Sequence, residues 1–171
     1  SHAPRREQAF RMLVDSFLPE GITQIAVDSI FMMPQLGVLS AVHEKAAIEV
    51  FNKDCLIRLG SCIAPTGTPD KDGTLLEYSL VIDGEKREGK LKKGELTLIK
   101  ADFKEHPLTI KCSKNILLNN KAEYSGNIFG GEVGIMLDGR GRPFKLSPNT
   151  KNRKELIDNW SKASNEYPYK G

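Results

Sequence analysis

The sequence predicts an α+β fold, a mainly antiparallel β barrel or sandwich with helices at both ends. Three observations predict it. Short apolar segments recur after residue 53, turn-forming residues separate them, and apolar residues at helical spacing are confined to 1–53 and 149–171. The expected organisation is a helical lead and linker region at 1–53, a small β domain at 54–148, and a closing helix and tail at 149–171.

Each element follows from local pattern. Within 4–18, Phe10, Leu13, Val14, Phe17 and Leu18 form the stripe of an amphipathic helix, which Pro4 suits at its first turn and Pro19-Glu20-Gly21 stops. Residues 22–33 are rich in β-branched side chains without a clean period of two, and are expected to form a buried strand ended by Pro34. A second helix is expected over 40–52, with Ser40 or His43 near its start and Ala46, Ala47, Val50 and Phe51 on one face. The segments 56–64, 75–82, 96–100, 108–112, 124–129 and 133–137 then read as strands. Between them lie Pro65-Thr66-Gly67, Pro69-Asp70-Lys71-Asp72-Gly73, Asp83-Gly84, Lys93-Gly94 and Gly130-Gly131. Asn149-Thr150 is expected to cap the last helix, with Leu156, Ile157 and Trp160 at helical spacing.

Composition narrows the class. With 39% hydrophobic and 27% charged residues, the chain is neither a disordered tail nor a membrane protein, and no apolar run is long enough to span a bilayer. Its net charge of +3, with both signs interspersed, does not by itself call for a nucleic-acid partner. Three cysteines, Cys55, Cys62 and Cys112, make no even disulfide set and no C-x-x-C pair, so a reducing cytoplasmic compartment is expected. Ser1-His2-Ala3 lacks an initiator Met and reads as the remnant of a cleaved tag, so the chain is expected to be a fragment of something larger.

Catalytic chemistry finds little to stand on. A nucleophile needs a neighbouring base, yet no spacing pairs Cys62 with His43 or His106, and a buried Cys ordinarily serves as a small hydrophobe. The histidines and cysteines match no metal-ligand spacing. Asp138 ends an apolar strand beside Arg140, where an Asp more often caps its own turn or pairs with the arginine than acts as an acid or ligand. Gly130-Gly131 joins two expected strands, which suits a hairpin turn better than a phosphate cradle. Arg-Gly-Arg-Pro at 140–143 is the core of an AT-hook, which slides extended arginines into a narrow minor groove. Apolar flanks on both sides argue instead for a turn between two strands. Met32 and Met33 sit in an apolar run that suits core packing or an interdomain surface.

Several of these stretches together resemble one family. Gly130-Gly131-Glu132 followed by Val-Gly-Ile-Met-Leu-Asp-Gly-Arg-Gly-Arg-Pro-Phe at 133–144 resembles the "GG-x-V-G-L-I-I-D-A-R-G-R-P-L" segment of the MutL-type accessory proteins of glutamate mutase, which are distinct from the mismatch-repair proteins of that name. Residues 93–99 resemble the family's "pGEl" strand, and 153–160 its "R-x-x-L-x-x-W" helix. Residues 31–39 and 59–65 resemble its linker and first β segment. The likeness covers most of 22–163, with 130–144 its distinctive part, and Gly139 stands where the family pattern has Ala. The resemblance implies a C-terminal piece of a large ATPase that reactivates adenosylcobalamin-dependent mutases or aminomutases.

Those ATPases carry their phosphate loops in other lobes, and no such motif is present here, so no catalytic residue and no cofactor carry over to this piece. The implied partners are the remainder of the parent ATPase and a cobalamin-dependent mutase subunit, with neither nucleic acid nor membrane. The residues implied for contact or for a structured turn are Asp138, Arg140, Arg142, Pro143, Met32 and Met33. Two other classes compete. One is a small basic β-barrel nucleic-acid module using Arg140, Arg142, Lys86, Lys90, Lys92 and Lys93; the other is an enzyme built on Cys62 or Asp138.

Overall fold

The computed structural model describes residues 6–28, 41–142, 144, 148 and 150–163. Met32, Met33 and Pro143 lie outside the described residues, as do Ser40, Asn149 and the part of the expected first strand beyond Asp28. The fold is α+β, with mostly antiparallel sheets and a few helices, and among the described residues no closed barrel is found.

The described chain begins with helix α1 (Arg6–Phe17), strand β1 (Gly21–Asp28) and a short helix α2 (Glu44–Val50), followed by a π-helical turn (Phe51–Cys55) that delivers the chain into β2 (Leu56–Ala64). Then come β3 (Thr66–Gly67), β4 (Thr74–Ile82), β5 (Glu85–Lys92), β6 (Leu96–Ile99), β7 (Glu105–Cys112), β8 (Ile116–Leu117), β9 (Glu123–Phe129), β10 (Gly134–Asp138) and helix α3 (Thr150–Ala163). The first four-stranded sheet has the order β1-β2-β10-β6 and the second β5-β4-β7-β9, while β3 and β8 form a two-stranded ladder.

Two apolar clusters explain why the first sheet lacks simple alternation. Ile63, Ile135 and Leu137 face Leu76, Leu80, Ile110 and Ile128 of the second sheet. On the opposite face Cys62, Met136 and Leu96 pack beneath Phe10 and Val14 of α1 and Trp160 of α3. The central strands are therefore covered on both sides, and all five residues of β10 are buried. A strand covered on both faces reads as a continuous apolar run rather than an alternating one. β1 is irregular for a second reason: its antiparallel pairing with β2 shifts register between Ile25 and Ala26, with Ile25 opposite Gly60 and Ala26 opposite Arg58. The extra residue on β2, Leu59, turns into the helix-side cluster.

Several expectations need correction. Gly130-Gly131 does not close a hairpin, because β9 ends in the second sheet while β10 begins in the first. β10 runs parallel to β2 and antiparallel to β6, so among the described residues one parallel pair sits between otherwise antiparallel strands. On its other side β10 lies unusually close to the backbone of β6. A Cβ on Gly134, whose φ is +130°, would lie 2.2 Å from the Ile99 carbonyl oxygen. The 85–92 segment, which is not among the strands expected from the sequence, is a full strand at the edge of the second sheet, where its charged side chains are solvated and discourage further pairing. Residues 139–142 follow β10 as a turn, and among the described residues no second strand follows them. The second helix is shorter than expected; His43 holds its N-cap position without a side-chain hydrogen bond.

Candidate functional site

The resemblance-bearing segment folds into a buried ionic cluster at the end of β10. Parity along β10 places Asp138 on the same face as Met136, toward the helices, and its side chain has no exposure to solvent. The turn 139–142 folds back over it. The backbone N–H of Arg140 donates to Asp138 Oδ1 at 3.1 Å, which makes Asp138 the cap of its own turn. The Arg140 guanidinium adds Nε to Oδ1 and Nη2 to Oδ2, both at 2.9 Å, a bidentate pair that lysine could not reproduce.

Neighbouring elements complete the cluster. Arg140 Nη2 also lies 2.6 Å from Asp15 Oδ1 on α1, and its guanidinium carbon sits 4.9 Å from the Phe144 ring centre and 5.1 Å from that of Trp160 on α3. Arg142 donates from Nη2 to Asp138 Oδ2 at 3.0 Å and from Nε to the carbonyls of Leu18 and Pro19 at 3.2 and 3.1 Å. Leu18 has a φ of +45°, unusual for a branched residue, and its N–H closes α1 by donating to Val14. Arg142 thus pins the strained exit of α1. Arg11 on α1 donates to Ser161 Oγ of α3 at 3.1 Å, and Trp160 Nε1 donates to the Gly94 carbonyl at 2.9 Å.

The electrostatics follow from this packing. Burial alone would raise the Asp138 pKa, but the hydrogen bonds and charge of Arg140, with the charge of Arg142, outweigh it and hold the carboxyl below its ordinary value. Burial likewise opposes the charged form of Arg140, and Asp138 and Asp15 more than offset it. Cys62 lies in the same helix-side core. Burial, followed by the Asp138 carboxylate, pushes its thiol up to about 12, the opposite of an activated thiolate. His106 is buried with Nε2 3.2 Å from the Asp102 carbonyl oxygen, and His43 is exposed at the start of α2. Among the described residues no group of three or more His, Cys, Asp and Glu is placed to hold a metal ion.

Asp138, Arg140 and Arg142 are therefore brought together, but inside the chain rather than on a partner-facing surface. The side chains of Arg140 and Arg142 are 1% and 3% exposed, so neither is free to enter a nucleic-acid groove. The lysines of the basic module are partly spent as well: Lys90 pairs with Glu77 across β4 and β5, and Lys86 with Glu88. Sequence reasoning missed Asp15 and Ser161, each a single polar residue on a helix, with no local signal of a partner far along the chain. It placed Trp160 as an apolar helix position and as the Trp of the family-like helix, not as a cover for Arg140.

No family model matches the chain, no curated protein matches it, and no solved structure matches it.

Proposed function

We propose that the chain is a non-catalytic accessory domain, the C-terminal piece of a cytoplasmic ATP-dependent reactivator of adenosylcobalamin-dependent mutases or aminomutases. In this reading its two four-stranded sheets form a sandwich that displays a contact surface for the remainder of the parent ATPase. One observation carries the proposal beyond the likeness at 130–144: the charged groups of that segment are consumed by contacts within the chain, which suits a scaffold better than a reacting centre.

The surface left for the partner is on α1. Phe17 and Met12 are 75% and 61% exposed, and Phe17 borders an apolar groove with Leu13, Pro19 and Ile25. Exposed large apolar side chains grouped beside a groove mark an interaction face. The seating of this domain against the ATPase lobes is a continuation of the parent's own fold, which fits an apolar contact. Among the described residues no helix is long and apolar enough to cross a membrane.

The test is calorimetric titration of the chain with the separately produced ATPase lobes of its parent, and with Mg-ATP. The proposal expects binding to the lobes, weakened at least about tenfold by Phe17→Asp, since burying an unpaired charge costs over 1.4 kcal/mol, and no heat with Mg-ATP. Absence of binding to the lobes, an unaffected Phe17→Asp variant, or saturable micromolar ATP binding would each contradict it. Binding to a corrinoid-carrying mutase subunit in place of the lobes would reassign the partner and overturn the choice made here.

A further inference from the structure

We infer that α1 and α3 are seated and released together, so that the packing of the last helix holds the first. The two helices are distant in sequence, yet they share two arginine links. Arg140 binds Asp15 of α1 while the Trp160 ring of α3 covers its guanidinium, and Arg11 of α1 donates to Ser161 of α3. Both helices also close the same apolar cluster, in which Phe10, Val14 and Trp160 are buried together.

Length makes the sharing consequential. α1 has 12 residues and α3 has 14, and helices this short are marginal in water unless tertiary contacts hold them. Each also rests on the first sheet, α1 on β1 and β2 and α3 on β6, so the arginine links and the shared apolar cluster are what couple one helix to the other. If α3 lifts, Trp160 leaves Arg140 and water reaches the guanidinium, where charge pairs are far weaker than in a shielded site. The Arg140–Asp15 contact loosens, the Arg11–Ser161 bond is lost, and Phe10 and Val14 lose part of their cover. Asp15 is already 39% exposed, so this pair depends on Trp160 for its shielding.

The sheet lies outside this unit. Asp138 stays fixed by β10, which is paired on both sides, and Arg140 remains bonded to Asp138 whether or not α3 is seated. The device is therefore a two-helix clasp resting on a rigid strand end. It reports the state of one terminus to the other without requiring the sheets to move.

Amide hydrogen exchange on the full chain tests it. Lys154→Gly and Glu155→Gly lie on the exposed side of α3, away from every link described above, and each lowers the helix's own stability about threefold. The inference expects amide protection in both α1 and α3 to fall by similar factors, while amides of β7 stay unchanged. An additional Arg140→Met substitution should blunt the response of α1 to the α3 glycines. If α3 loses protection and α1 keeps its own, or if β7 loosens along with both helices, the inference is overturned.

Discussion

Asp138 accepts hydrogen bonds from two guanidinium groups and from the Arg140 backbone, and this saturation explains its acid strength. Its ordinary pKa is 3.8, and the folded state holds it lower. A depressed carboxyl contributes stability that is fully present above the unfolded value and is lost as pH falls through the folded one. The chain should therefore keep the Asp138 contribution down to about pH 4 and lose it progressively below. Urea unfolding measured from pH 7 to pH 3 checks this. The wild-type chain should show a steeper loss of stability below pH 4 than Asp138→Asn, and identical slopes would contradict the assignment.

At the scale of elements, the pairing of β10 with β2 and β6 sets the position of the whole cluster, and it depends on backbones that approach too closely for a side chain. Gly134→Ala would place a methyl group against the Ile99 carbonyl while forcing alanine into a φ of +130°. The dihedral alone should cost about 1–3 kcal/mol, read as a lowered urea midpoint with an unchanged slope. A stability within about 0.5 kcal/mol of wild type, the ordinary range of a surface substitution, would show that the strand end is not so constrained.

Elements differed in how well the sequence revealed them. β2, β4, β7 and β9 have enough apolar residues between turn signals to be read directly. β5 does not, because Glu85, Lys86, Arg87, Glu88 and Lys90 are solvated at a sheet edge and Leu91 is its one large apolar side chain that packs inward. What makes it a strand is its register with β4, from Thr74 opposite Lys92 to Ile82 opposite Glu85. The parallel partner of β10 was equally illegible. A buried run looks the same in either direction, and the turn at 130–133 could close a hairpin or cross between sheets. Asp138, Arg140 and Arg142 stood out as a turn because their types and spacing are local. Their burial was hidden, since Asp15 and Trp160, which enclose them, sit more than a hundred residues apart in the chain.

For the whole molecule, the ionic cluster is the point where the first sheet and both terminal helices meet. Burying charges brings little net stability when they are well paired, yet removing one partner leaves the others buried and uncompensated. A fold built this way owes its specific shape to side chains almost wholly shielded from solvent, and in the proposed reading the exposed face of α1 is left to meet a partner. Asp138→Asn tests this most directly, because asparagine keeps the volume and removes only the charge that both arginines share. Equilibrium urea unfolding at neutral pH should show a loss of about 3–5 kcal/mol relative to wild type, as expected for a broken buried pair. A loss below about 0.5 kcal/mol would mean that Asp138 serves something other than the fold, and would contradict the account.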